Sequence, residues 1–297
     1  MDYAKVFETM IQETQQYLES NNLQAMILGI SGGLDSTVTA AICHEVEKRN
    51  PELKFIGISL PCSSNSEEEN DSAKICMKAF CKSGQWWTEN LQKEYMLMRV
   101  TCSQRHLMTT IGQGNIKARL RMTYLYNEAN YFKGLVMDTD NLTEHYLGFF
   151  TIHGDVCDFN PIGGLWKHEV YELAQYLYNE YYNKPIEIEG YKLMALKTAI
   201  GITPTDGNGV NDLGDMGQIA PAFAHDKNID AYEKVDNIIR TYLYGVESHP
   251  EVFQASMQTL YDTYTPETVD GIIQRIKSTE YKRKKLPIVV SRKKYNQ

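Results

Sequence analysis

Residues 25–36 constrain the fold more than any other stretch of the chain. A short apolar run, AMILGI at 25–30, leads directly into Ser31-Gly32-Gly33-Leu34-Asp35-Ser36, and helical character takes over across Thr37–Lys48. An apolar run this short, bounded by turn residues, reads as a parallel strand buried on both faces. The pattern then repeats: KFIGISL (54–60) is a second strand, and Glu67–Phe80 a second helix with Ser66 as its N-cap. GLVMDT (134–139) reads as a third strand with a polar exit. Strands alternating with helices form right-handed βαβ units, so the expected class is α/β, a doubly wound parallel sheet.

The remaining segments fit around that sheet. Val6, Phe7, Met10, Ile11, Thr14 and Leu18 share one face of an amphipathic helix over 3–20. The stretch 85–114 reads as mostly helical, Asn115–Tyr131 as a helix, and Lys167–Tyr182 as a long Tyr-rich helix whose aromatic stripe belongs to a core or a subunit interface. TPTDGNGVNDLGDMGQ (203–218) has the composition of a loop, expected to be mobile until ligands bind. Beyond it, 229–243 and 266–277 read as additional C-terminal helices. No internal repeat or low-complexity tract is visible, so 1–297 is expected to form a single domain.

Charge and composition narrow the partners. A net charge of -8 is the wrong sign for binding nucleic acid through its phosphates, and only the YKRKK stretch near the C-terminus is strongly basic. No run approaches the ~18 apolar residues that span a membrane. The N-terminus MDYAKVFETMIQETQQ lacks the basic start and apolar core of a secretory signal. A cytoplasmic protein with no membrane or nucleic-acid partner is expected. The six cysteines form no CxxC pair and no zinc spacing with histidine, and are expected to be reduced core thiols. The seven histidines show no ligand or relay spacing.

The chemistry concentrates in the loop at 31–36. Two glycines let the backbone approach an anion closely, and the helix behind offers free N–H groups and a positive dipole end. Ser31 and Ser36 add hydroxyl donors. Asp35 is the odd member, because a carboxylate in a phosphate cradle is repulsive unless a cation lies between. Mg²⁺ is the natural choice, since it bridges carboxylate and phosphate oxygens. No Lys follows the glycines, so this is not a Walker A loop.

The loop resembles that of the ATP pyrophosphatase (PP-loop) superfamily, whose members cleave ATP to AMP and pyrophosphate. Further blocks resemble the NAD synthetases within it. Asn115–Met122 reads NIKARLRM, like that family's NxKARxRM; TDNLTEHYLGFF at 139–150 is similar to its T-D-x-x-x-E-x-x-x-G-F-F stretch. Gly154-Asp155 and Leu165-Trp166-Lys167 match later steps, with one single-residue gap between Asp155 and Lys167, and Glu280–Arg283 resembles the family's C-terminal basic motif.

The resemblance implies an adenine nucleotide alpha hydrolase-like fold and an ammonia-dependent ligase. The enzyme would adenylate the nicotinate carboxylate of deamido-NAD with ATP, then amidate it to give NAD, AMP and pyrophosphate. Ser31, Gly32, Gly33 and Ser36 would hold the pyrophosphate half of ATP, with Asp35 and Glu144 as Mg²⁺ ligands. Lys167 and Thr205 would contact phosphates, and Lys167 would be catalytic with Asp35 and Glu144. Gly29, Leu60 and Thr139 would surround the adenosine, and Arg119 and Asp155 would meet the dinucleotide. A homodimer is implied, with the dinucleotide site at the subunit interface. One departure stands out: Ile152 occupies a position where the family often has Lys. No glutaminase domain is expected, because the loop begins at Ser31 and the segment after Lys167 is taken up by helices; free ammonia would be the nitrogen source. The alternative is another PP-loop synthetase, either GMP-synthetase-like or tRNA-modifying.

Overall fold

A computed structural model describes residues 1–62, 65–205 and 214–284. The chain begins with α1 (Tyr3–Ser20), then β1 (Ala25–Gly29), α2 (Leu34–Arg49), β2 (Lys54–Ser59), α3 (Glu67–Phe80) and β3 (Trp86–Thr88). Helices α4 (Gln92–Ser103) and α5 (Thr110–Phe132) lead to β4 (Gly134–Val136) and the short α6 (Leu142–Leu147). After the loop at 148–166 come the remaining helices, α7 (Lys167–Tyr182), α8 (Ile186–Gly201), α9 (Gly214–Ile219), α10 (Asn228–Glu247), α11 (Pro250–Thr263) and α12 (Pro266–Ser278). Single 3-10 turns follow α9, at Pro221–Phe223, and α12, at Glu280–Arg283. Among the described residues no helix is long and apolar enough to cross a membrane.

The four strands pair in parallel in the order β3-β2-β1-β4. Alternate residues of the strands feed two separate cores, as a sheet covered on both faces requires. Met26, Leu28, Phe55 and Leu135 join the core with α2, α3 and α7; Ala25, Ile27, Ile56, Ile58 and Val136 join the smaller core with Leu125 and Ala129 of α5. Helix α7 packs on α2 and carries the C-terminal helices outward: α10 lies against α7, and α12 against α10 and α6. The expected doubly wound class and C-terminal helices are therefore observed.

Two expectations on elements change. The stretch 85–114 is not simply helical, because Trp86–Thr88 pairs with Gly57–Ser59 as an edge strand before α4 begins. GLVMDT is the fourth strand, not the third, and ends at Val136; Met137 still donates to the Ile27 carbonyl at 2.8 Å and bridges to Phe159. The Asp138 carboxylate then holds the loop that follows, accepting from the N–H of Asp140 and of Cys157 at 2.7 Å each. Within 203–218, α9 occupies the end, and 206–213 lies outside the described residues.

Topology places the functional crevice. From β1 the sheet grows one way to β2 and β3, then the chain returns to β4 on the other side of β1. The loops leaving the C-terminal ends of β1 and β4 therefore diverge and leave a crevice between them, as at the switch point of other open α/β sheets.

Candidate active site

Helix α2 starts immediately after Gly33, earlier than the apolar pattern suggests, so Asp35 and Ser36 lie in its first turn. Gly33 is the N-cap and supplies no side-chain partner to the first N–H groups, leaving orphan donors aimed out of the helix. Gly32 has φ +82, and a Cβ there would collide with the backbone nitrogen of Ala73. Only glycine lets the loop pack so closely on α3, where the Ser72 hydroxyl donates to the Gly32 carbonyl at 2.7 Å. Ser36 turns inward: its Oγ lies 3.0 Å from Ser31 Oγ and donates to the Gly33 carbonyl at 3.1 Å, bracing the loop from beneath.

Across the crevice, α6 begins with a capping box in which Asn141 accepts from the Glu144 N–H and Glu144 Oε2 accepts from the Asn141 N–H. The Asn141 amide also donates to Asp35 Oδ1 at 3.0 Å, tying the two loops together. Lys167, the first residue of α7, is 2% exposed and reaches back between the two loops. Its ammonium donates to Asp35 Oδ2 and, at 3.1 Å, to Glu144 Oε1. A buried cation at a helix start opposes the dipole, and the carboxylate pair offsets that cost.

The electrostatics are dominated by crowded acids. Burial pushes the Glu144 carboxyl up to about 7, against the opposing pull of Lys167. Burial alone would lower Lys167, but Asp35 and Glu144 hold it well above the ordinary lysine range. Burial also raises Asp138, Asp140 and Asp155, and Asp138 and Glu144 drive Asp140 further up. A cleft so rich in carboxylates calls for cations.

These groups line a cavity of about 300 Å³. Of the residues singled out from the sequence, Gly29, Ser31, Gly32, Gly33, Asp35, Leu60, Thr139, Glu144, Asp155, Lys167 and Thr205 all face it. Thr205 is held at the rim by Glu69 of α3, to which its hydroxyl donates at 2.6 Å. Ser36 sits behind the loop, and Arg119 is exposed and donates to the Ile152 carbonyl at 3.2 Å. Arg121 faces the cavity instead, donating to the Leu60 carbonyl at 3.0 Å and to Asn65 Oδ1 at 3.1 Å. Two residues along a helix is a rotation of about 200°, so the two arginines point to nearly opposite sides.

Sequence reading did not place Asp140 or Asp215 at the cavity, and it favoured Arg119 over Arg121. The Asn141-x-x-Glu144 box was a readable signal for α6. The carboxylates carry no such signal, because their partners lie far away in the chain. His168 also proves to be engaged, its Nδ1 lying 2.8 Å from Asp236 Oδ2. Cys157 lies at the cavity but is no thiolate nucleophile, since burial and the surrounding aspartates push its thiol far up.

The oxygen donors fit magnesium. Asp35 and Glu144 already hold one cation, the Lys167 ammonium, between them. Among the described residues no set of three or more His, Cys, Asp or Glu side chains is arranged to bind a metal by itself. Two carboxylates completed by phosphate oxygens is the set Mg²⁺ commonly takes.

The sequence profile of the NAD synthase family matches residues 6–188. The NH(3)-dependent NAD(+) synthetase of Campylobacter jejuni is 33% identical over 185 residues, which is 60% of this chain and 69% of that protein. The corresponding protein of Carboxydothermus hydrogenoformans is 36% identical over 180 residues, 60% of this chain and 71% of that one. In fold, NMN synthetase from Francisella tularensis superposes with a TM-score of 0.71 at 20% identity, covering 98% of both chains. The C. jejuni NH3-dependent NAD synthetase gives 0.67 at 23% identity, covering 98% of this chain and 100% of that one. By the profile match and these relatives, the chain belongs to the NAD synthase family.

Proposed function

We propose that the chain amidates deamido-NAD with ammonia at the expense of ATP. The observation that carries this reading is the Lys167 ammonium bridging Asp35 and Glu144 beside the Ser31–Gly33 loop. In the first step a nicotinate carboxylate oxygen attacks the α-phosphorus of ATP, the α–β bridging bond breaks, and pyrophosphate leaves. In the second, ammonia attacks the acyl carbon, AMP leaves, and the extra proton is lost to solvent. The substrate carboxylate is itself the nucleophile, so catalysis rests on positioning and charge.

Each group has a role in that scheme. The backbone N–H groups of the loop and the start of α2 hold the departing pyrophosphate, with the Ser31 hydroxyl beside them and Ser36 bracing the loop. Lys167 moves part of its charge from the carboxylates to the phosphates. Asp35 and Glu144 would hold Mg²⁺, which when bound with the nucleotide neutralises phosphate charge. Gly29, Leu60 and Thr139 enclose the adenosine, Leu60 being fixed through its carbonyl by Arg121. Thr205 contacts phosphate from the rim, and Asp155 meets the dinucleotide.

Arg119 lies outside its own cavity, which suits a homodimer in which it serves a site at the interface. Exposed apolar groups on α4, on α5 (the helix that carries Arg119) and between them support this: Leu97 is 72%, Leu107 100% and Ile111 69% exposed. The net charge of -8 supports small-molecule substrates rather than nucleic acid, and the absence of paired cysteines among the described residues supports a cytoplasmic setting.

Exchange of labelled pyrophosphate into ATP, with Mg²⁺ and no ammonia, tests the first step. Exchange that depends on deamido-NAD is expected; none, or exchange indifferent to the dinucleotide, would overturn the reading.

A further inference from the structure

Helix α10 lies beyond the residues that match the family, yet it reaches the centre of the site. Its residue Asp236 is 0% exposed and spends both oxygens on the first turns of two other helices. Oδ1 accepts from the Thr143 hydroxyl on α6. Oδ2 accepts from the His168 N–H on α7 at 3.0 Å and lies 2.8 Å from the His168 ring nitrogen Nδ1. The same Thr143 oxygen accepts from the Lys167 N–H at 2.9 Å. One turn earlier on the same face of α10, the Tyr232 ring centroid lies 5.5 Å from the Lys167 ammonium.

Thr143 precedes Glu144 and His168 follows Lys167, so one carboxylate joins the backbones that carry the two partners. A fully buried carboxylate is costly unless every oxygen is hydrogen-bonded, and an apolar residue at this buried position would carry no such cost. What the polar network supplies is one fixed geometry. We propose that Asp236 is a positioning residue: acting through Thr143, it sets the separation of Glu144 from Lys167 and so aligns the pair with the nucleotide phosphates. The catalytic part of this inference rests on the function proposed above.

Thr143→Val, Thr143→Ser and Asp236→Asn test it by two readouts. The first is kcat against KM for ATP in the amidation of deamido-NAD. Thr143→Val and Asp236→Asn are expected to lower kcat about ten- to a hundredfold, with KM changed less than about threefold, because misplacement by about an ångström acts on the transition state. Thr143→Ser keeps the hydroxyl and is expected to recover kcat to within about threefold of wild type. Wild-type kcat in Thr143→Val, or Thr143→Ser as slow as Thr143→Val, would overturn the proposal; the second result would mean the methyl's packing mattered and not the hydrogen bonds.

The second readout is hydrogen exchange at the Lys167 amide, which does not depend on the reaction. Exchange at least about tenfold faster in Thr143→Val is expected, since the amide has no intrahelical partner. Unchanged protection overturns the network. Wild-type protein that formed no NAD would instead refute the proposed function, and the exchange result would still decide whether Asp236 and Thr143 hold Lys167.

Discussion

The sheet half and the helical half of this molecule contribute differently to one site. The first, from α1 to α7, carries the pyrophosphate-type loop, the crowded carboxylates and Lys167, and it holds nearly all of the family's sequence match. The second, from α8 to α12, contributes only a few cavity residues yet shares the fold with relatives across 98% of the chain. Many of the polar side chains of this half and of the turn after it reach back to one element. Arg275 donates to the Leu147 carbonyl at 3.1 Å, Lys282 to those of Gly148 and Phe150, Arg283 to that of Tyr146, and Asp236 meets Thr143. All surround α6, the short helix that bears Glu144. Cations at a helix C-terminus and a capping box at its start hold six residues that have little intrinsic reason to be helical. The contrast teaches that lining the cavity and bracing it are separate tasks: the first half supplies most of the cavity's side chains, and the second supplies cations that hold α6 in place.

If that division holds, substitutions in the two halves should fail in different ways. The largest effect is expected from Asp35→Asn, which should cut turnover by about a thousandfold or more through the loss of the charge that pairs with Lys167 and of the proposed Mg²⁺ ligand, while leaving the thermal midpoint within a few degrees. Near-normal turnover at ordinary Mg²⁺ would erase the distinction. Next, Ile272→Ala in α12, a fully buried frame position, should cost about 2–5 kcal/mol of stability by denaturant titration with kcat close to wild type. A large fall in kcat of the folded fraction would show that the frame is not passive.

Glu144→Gln sharpens the comparison, because here function and stability should oppose. The folded carboxyl titrates at about 7, above its ordinary value, so the fold favours the neutral form. That stabilisation is complete below the unfolded value and is lost as pH rises through 7. Gln stays neutral, so ligand-free Glu144→Gln should gain about 1–3 kcal/mol over wild type at pH 8 and much less at pH 5, while losing activity. An equal difference at both pH values would contradict the assigned environment. The smallest effect is expected from Arg283→Met, about 1 kcal/mol of stability from hydrogen bonds at the end of α6; a loss comparable with Ile272→Ala would mean the tail matters more than the core beneath it.

Much of this was legible in the sequence for physical reasons. Strands β1 and β2 announce themselves as apolar runs between turn residues, and α7 was read with the bounds it has, as a long Tyr-rich helix after Trp166. The loop at 31–36 was legible because its glycines, hydroxyls and lone acid are adjacent. Helices α6, α8, α9 and α11 went unread: α6 and α9 have only six residues each, too few for a period to show. Strand β3 was hidden because its three residues are set by pairing with β2. Arg119 was weighted over Arg121 because helical periodicity separates their faces without saying which one meets the cavity. Asp236 was invisible because its partner Thr143 lies 93 residues away, and nothing local marks a carboxylate as buried.

The most direct test incubates the purified chain with ATP, Mg²⁺, ammonium and deamido-NAD, and follows NAD, AMP and pyrophosphate together. Parallel reactions replace ammonium with glutamine, or the dinucleotide with nicotinate mononucleotide; the latter tests the acceptor. Equimolar NAD, AMP and pyrophosphate from deamido-NAD and ammonium, with little product from the glutamine or mononucleotide arms, is the predicted result. ADP and phosphate in place of AMP and pyrophosphate, or no amidated dinucleotide at any ammonium concentration, would contradict the account.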